Sequence, residues 1–364
     1  MELLALTQAL LRCPSVTPAD AGAQAVLAAA LEGLGFKITP LKFGEIENFF
    51  AERPDAGRHL CFAGHTDVVP TGEGWRHDPF AGIVEGDLLY GRGAVDMKGG
   101  IAAFVAAAAK TPGHVSLLIT GDEEGEAKDG TLRVLEWMAV QGKIPDFCVV
   151  GEPTSRVRLG DVVKIGRRGS LNAKITVTGR QGHAAYPQNA DNPIHRLVPA
   201  LAAMMASLLD AGTAFFEPSS LQVTSVDVGN PATNVIPEQA TARLNIRFND
   251  LHTGASLTRW LTGKLADFVP AAELAVHVSG EAFLTQGGAH TEALSAAITR
   301  VTGLTPEQNT GGGTSDARFI ARYCPVAEFG LVGASMHRTD ECVKISELSQ
   351  LVEIYATLIG DFCG

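Results

Sequence analysis

Three consecutive carboxylates, Asp122, Glu123 and Glu124, follow an apolar run at 115–119. The run reads as a buried strand, and Gly121 and Gly125 mark the turn that ends it. Carboxylates at a strand end sit at the rim of a sheet, where open α/β folds build their sites. Three adjacent negative charges repel one another and need a compensating cation. An isolated Asp-Glu-Glu is more often a solvated acidic turn. Here further ligand-type residues stand at comparable places along the chain.

His65 follows an apolar stretch at 59–63, and Glu152 follows another at 147–150. Asp96 and His337 lie in glycine-bearing loops. With Glu124 these residues supply two imidazoles and three carboxylates. Such a set suits a pair of zinc-like cations about 3.5 to 4 Å apart, with positions open for water and substrate. Asp96 is expected to bridge them, because a carboxylate has an oxygen for each ion. Asp67 lies two positions beyond His65 and, in extended chain, on the same face. Its carboxylate is expected to orient the imidazole. Glu123, beside ligand Glu124, is the expected general base, since a carboxylate next to activated water can take its proton. Lone histidines such as His59, His114 and His277 are expected to be surface or satisfied core residues. The glycines at 311–313 carry little weight alone: glycine-rich helix starts bind phosphates or carboxylates, or simply turn tightly, and no Lys-Ser/Thr pair completes a P-loop.

The elements that position these residues alternate. Helices are predicted at 2–12, 19–34, 101–110 and 131–140, and strands at 36–41, 49–52, 59–63, 88–90, 115–120 and 147–150. That order predicts a mostly parallel α/β sheet with helices on both faces. The texture changes near Gly169. Strands at 171–178, 221–228, 241–248 and 274–279, with helices at 192–209 and 256–268, follow the order β-α-β-β-α-β of a ferredoxin-like α+β unit. Helices at 291–302 and 346–359 and a strand at 326–329 then resume the α/β texture. The expected organisation is a catalytic domain in two parts, 1–168 and 282–364, interrupted by an inserted domain at 169–281.

Of 364 residues, 46% are hydrophobic, which suffices for a real core. Acidic residues outnumber basic ones, 40 against 29, for a formal net charge of -11. That balance argues against non-specific nucleic-acid binding and against an anionic membrane surface, so neither partner is expected. An anionic substrate then needs local arginines. Arg167 and Arg168, at the expected domain junction, are the candidates, because a planar guanidinium grips a carboxylate with two hydrogen bonds. The six cysteines lack CxxC spacing, and no basic leader precedes Glu2, so a cytoplasmic protein is expected. The longest apolar run, at 101–109, is far short of the roughly 20 residues that span a bilayer.

Four stretches resemble the metal motifs of the M20 family of dinuclear metallohydrolases: Gly-His-Thr-Asp-Val-Val-Pro at 64–70, Gly-Arg-Gly-Ala-Val-Asp-Met-Lys-Gly-Gly at 91–100, Asp-Glu-Glu at 122–124 and Gly-Glu-Pro-Thr at 151–154. The resemblance covers nearly the whole chain. More narrowly, the stretches at 166–170, 181–187, 192–195, 233–237 and 312–316 are similar to those of members that hydrolyse a succinyl amide. The resemblance implies two divalent cations per chain, zinc or alternatively cobalt. His65 and Glu152 would complete one metal site, Glu124 and His337 the other, with Asp96 between them and Glu123 as acid/base. It further implies a homodimer joined through the inserted domain, with His183 reaching the partner's active site as an oxyanion donor. Arg167, Asn234, Arg247, Ser279 and Thr314 match positions of substrate binding. The resemblance, and the need for one carboxylate to span two ions at a helix entry, predict a cis peptide bond from Asp96 to Met97. Other acyl-amide hydrolases of this fold, or a non-catalytic metal-binding protein on the same scaffold, are the alternatives; Glu123 speaks against the latter.

Overall fold

The run that ends in the three carboxylates is the fully buried strand Val115–Thr120, inside an eight-stranded sheet. The computed structural model describes residues 2–285 and 287–364. Val115–Thr120 runs parallel to Leu60–His65, which runs parallel to Phe147–Val150, which in turn runs parallel to Val326–Glu328. These four strands are fully buried and, apart from the terminal His65 and Glu328, built of apolar or small residues, as expected where both faces of a sheet are covered. Because they are parallel, residues just beyond their C-terminal ends emerge on one rim. Antiparallel pairs flank them: Ile46–Arg53 beside Val115–Thr120, Lys37–Phe43 beyond it, and one contact from Val326–Glu328 to Val162–Lys164. Glu307–Asn309 closes the far edge, parallel to Val162–Lys164.

The helix expected at 101–110 starts earlier, as Lys98–Lys110, and packs against the closing helix Ile345–Cys363. Glycine disfavours a helix interior, but a Cβ on Gly99 would lie 2.3 Å from the Ala94 carbonyl oxygen. Close packing directly behind Asp96 therefore decides this helix start, over intrinsic propensity. The peptide bond from Asp96 to Met97 is cis.

The chain divides into two units. The one containing the eight-stranded sheet comprises Met1–Ile165, Thr285–Asn309 and Ser315–Gly364. The other comprises Gly166–Leu284 and Thr310–Thr314. The smaller unit holds a four-stranded antiparallel sheet in the spatial order Ser220–Asp227, Gln239–Phe248, Gly169–Thr178, Glu273–Gly280. With helices Pro193–Met205 and Gly254–Ala266 after its first and third strands, it has ferredoxin-like topology. Leu171, Ile175, Leu244 and Ile246 join Leu197, Leu201, Leu257 and Leu261 in its core. The opposite face of the sheet carries Asn172, Asn245 and Arg247. The side chain of Asn192 accepts from the amide of Ile194, and Pro193 takes the first turn, so the helix start is capped. Residues Thr310–Thr314 belong with this unit because Arg167 donates to the Gly313 carbonyl at 2.9 Å and Thr310 Oγ1 donates to the Phe215 carbonyl. No helix among the described residues is long and apolar enough to cross a membrane.

Candidate metal centre

Five segments of the larger unit bring the five expected ligands together. His65 ends its strand, and Glu124 and Glu152 stand in the turns after theirs. Asp96 precedes the Lys98–Lys110 helix, and His337, at φ 60°, lies in the loop before Cys342–Lys344. Asp96 is buried and faces two ways. Its Oδ1 is 3.1 Å from His65 Nε2 and its Oδ2 is 3.0 Å from His337 Nε2. Glu152 Oε1 stands 3.9 Å from His65 Nε2, and Glu124 Oε1 stands 2.8 Å from His337 Nε2.

Two donors that share one zinc-sized ion at about 2 Å each lie roughly 3 to 3.5 Å apart, which the two Asp96–histidine separations fit; Glu124 stands slightly inside that range and Glu152 slightly outside it. Donor atoms of His65, Asp96 and Glu124 also lie within 4.8 Å of one another, but the shorter contacts tie Glu124 to His337. The donors of His65, Glu123 and Glu152 form a further such group, which places Glu123 within ligand reach as well as beside the expected ligands.

The carboxylate of Asp67 was expected to hold the His65 ring. The short contact, 2.9 Å, instead runs from His65 Nδ1 to the backbone carbonyl of Asp67, and the carboxylate oxygen stands at 3.6 Å. The carboxylate is occupied by two amides: Oδ1 accepts from Glu123 N at 3.3 Å and Oδ2 from Glu124 N at 3.0 Å. An extended His-x-Asp step brings the carbonyl nearer the ring than the side chain.

The charges of this centre are strongly interdependent. Burial disfavours a charged His65, but the hydrogen bond and charge of Asp96 outweigh it and hold the imidazole well above its ordinary value. Hydrogen bonds to Asp96 and Glu124 push His337 up to about 10. Burial would raise Asp96, yet the two histidines hold it well below the usual carboxylate range. Glu123 moves the other way: burial, then the charge of Glu152, lift it well above an ordinary glutamate. Burial also lifts Asp67 to about 6. Asp316, which no motif marks as a ligand, is a buried acid that lines a narrow cavity with His65, Glu123 and Glu152. Its Oδ1 has no hydrogen-bond partner among the described residues. The signal was present in the stretch at 312–316, but spacing alone does not aim a side chain.

The remaining candidates lie in the smaller unit. His183 is exposed on the short strand Gly182–His183, paired with Val235–Ile236. Its Nδ1 accepts from Ala185 N at 3.0 Å, so a neutral ring carries its proton on Nε2, as a donor. Asn234 sits alongside, its carbonyl accepting from Ala184 N. Arg167 is buried and donates to the Gly313 carbonyl, in the segment that ends at Thr314. Arg247 donates to Asn245 Oδ1, and its guanidinium is lowered by burial and by the neighbouring charge of Arg168. Ser279 accepts from Asn172 on the same sheet. The smaller unit thus groups Arg168 with Arg247, and His183 with Asn234.

An aspartate set between two histidine–carboxylate pairs, three of whose members stand at parallel strand ends, is the donor set of a metallohydrolase scaffold. The chain belongs to peptidase family M20/M25/M40, whose sequence pattern matches residues 61–361. Succinyl-diaminopimelate desuccinylase of Acidiphilium cryptum (strain JF-5) is 62% identical over 358 residues, covering 97% of this chain and 96% of that one. The enzyme of the same name from Granulibacter bethesdensis (strain ATCC BAA-1260 / CGDNIH1) is 62% identical over 375 residues, covering 99% and 98%. Among solved structures, aminopeptidase PepT from Bacillus cereus ATCC 10987 superposes with a TM-score of 0.81 at 18% identity, covering 100% of this chain and 98% of that one. Bacillus subtilis YXEP protein, described as a dinuclear metal binding peptidase from the M20 family, gives 0.74 at 16% identity, covering 99% and 97%. At such identities these structures speak for the fold alone.

Proposed function

We propose that the chain hydrolyses N-succinyl-LL-2,6-diaminopimelate to succinate and LL-2,6-diaminopimelate, in the diaminopimelate route to lysine and peptidoglycan. One observation carries the chemistry: buried Asp96 offers one oxygen to the His65 side and the other to the His337 side. The substrate is supported by relatives bearing the desuccinylase name that are 62% identical over nearly the full chain.

His65, Glu152 and Asp96 would hold one divalent cation, and Asp96, Glu124 and His337 the other. Nitrogen and oxygen donors suit zinc, with cobalt as the alternative. Such a pair, when bound, polarises the amide carbonyl and makes water acidic enough to attack near neutrality. Glu123, within reach of His65 and Glu152, takes the proton of the attacking water. His183, with its Nε2–H as donor, reaches the partner chain's active site and stabilises the oxyanion that forms there as the carbonyl is attacked. Glu123 then passes its proton to the departing amine as the C–N bond breaks. Asp67 keeps Glu123 and Glu124 in register through their amides. Arg247, with Arg168, meets a substrate carboxylate; Arg167 supports the 310–314 segment that carries Thr314, with Asn234 and Ser279 as polar contacts. The assembly is a cytoplasmic homodimer joined through the smaller unit.

Hydrolysis of the succinyl substrate that disappears on chelation and returns with added zinc or cobalt is the expected result. Activity that survives complete metal removal would overturn the reading.

A further inference from the structure

Arg92 and Glu341 form an ion pair inside the larger unit, Nη1 to Oε2 at 2.6 Å, with both side chains almost wholly inaccessible. Burying two charges is costly, and an apolar pair of similar volume often serves stability as well. What the pair touches suggests another reason for it. Glu341 Oε1 accepts from Val95 N at 2.9 Å and from Asp96 N at 3.2 Å, so the carboxylate holds the backbone of the bridging residue itself. Glu341 lies four positions beyond His337. Arg92 lies four positions before Asp96 and spreads its guanidinium over three further carbonyls: Arg338 at 3.3 Å, Pro70 at 3.3 Å and Thr71 at 3.2 Å. Pro70 and Thr71 belong to the loop that follows His65 and Asp67. A planar fork of donors can hold several acceptors in fixed directions, which an ammonium cannot.

We infer that Arg92 and Glu341 are positioning residues that set the loops of His65, Asp96 and His337 in the register needed to hold both cations. This rests on the metal assignment proposed above. Residues that orient ligands typically change metal affinity or activity by about 10- to 100-fold when altered. Because Asp96 serves both ions, both affinities should fall together.

The test uses the full chain, with cobalt(II) as probe. Affinities are measured against a competing chelator, the visible absorption of the loaded protein is recorded, and the thermal midpoint of the metal-free protein is followed. In Glu341→Gln, an amide must place its N–H₂ against either Arg92 or the two backbone amides. Both cobalt affinities should fall roughly 10- to 100-fold and the absorption bands should shift. The double variant Arg92→Met with Glu341→Leu removes both charges, so its thermal midpoint should recover while its cobalt affinities stay low. Glu341→Asp keeps the charge and the fold but draws the carboxylate back by one methylene, and should weaken binding in the same sense. If the double variant or Glu341→Asp folds and binds two cobalt ions with unaltered affinity and spectrum, the inference is overturned. Failure of the unmodified chain to bind two ions would instead overturn the metal assignment, so the two failures are distinguishable.

Discussion

Asp67 accepts a hydrogen bond from the backbone amide of Glu124 at 3.0 Å, across 57 positions of sequence. Its other oxygen accepts from Glu123, so one buried carboxylate fixes both the proposed base and a proposed ligand. Asp67→Asn would turn an N–H₂ toward one of those amides. Its kcat/KM should fall by about 10- to 100-fold, in the range seen when supports of a metal site are altered. Unchanged kcat/KM would show that the turn at 121–125 holds itself.

Glu123→Gln separates base from ligand. Glu123 lies within reach of His65 and Glu152, so geometry alone permits both roles. The variant should keep about two metals per chain by elemental analysis and lose roughly 3 kcal/mol or more of barrier lowering, as for removal of a general base. Loss of a metal ion from the variant would reassign Glu123 as a ligand.

Much of this centre was readable before any coordinates, because a parallel strand announces itself. An apolar run followed by His65, by Glu124 or by Glu152 places a ligand-type side chain at a sheet rim wherever the sheet lies. The ferredoxin-like unit was readable from its alternation, as in Leu171, Ala173, Ile175 and Val177. Arg92 and Glu341 were not, since an isolated charge has no period and its partner is 249 positions away. The edge strand Glu307–Asn309 is short and wholly polar, so no apolar pattern could mark it. Residues 310–314 join the smaller unit through bonds to Phe215 and Arg167, which local composition does not encode.

A shared active site predicts complementation. Inactive His183→Ala chains mixed with inactive Glu123→Gln chains should regain partial activity as heterodimers form. No recovery, with subunit exchange confirmed by mass, would place the oxyanion donor elsewhere.

Acid should weaken the fold at the rim opposite the metal centre. His59 is buried, stacked on His114 at 4.1 Å, and its Nε2 is 2.7 Å from Ser116 Oγ. Burial first, then the charge of His114, lowers it from 6.5 to about 4, with Glu52 and Asp146 opposing and Lys143 adding to the fall. A histidine held neutral by folding contributes fully above its unfolded value and loses that contribution as pH falls from about 6.5 to about 4. The loss is roughly 3 kcal/mol. Urea midpoints of His59→Phe should decline less steeply over this window than those of the unmodified chain. Parallel declines would assign the acid sensitivity to other groups.

The most direct test of the account compares kcat/KM for N-succinyl- and N-acetyl-LL-2,6-diaminopimelate with a defined divalent metal. In the proposed reading the succinyl carboxylate meets partly buried Arg247 in the smaller unit, where Arg168 stands beside it. An acetyl substrate leaves Arg247 without that anion, whereas Arg168 keeps Glu217 at 3.6 Å. A charged hydrogen bond left unpaired costs on the order of 2 to 4 kcal/mol, or a factor of roughly 30 to 1,000. The expected result is a preference for the succinyl substrate of at least about 30-fold, most of it lost in Arg247→Ala with metal content unchanged. Equal kcat/KM for the two substrates in the unmodified enzyme would contradict the desuccinylase reading.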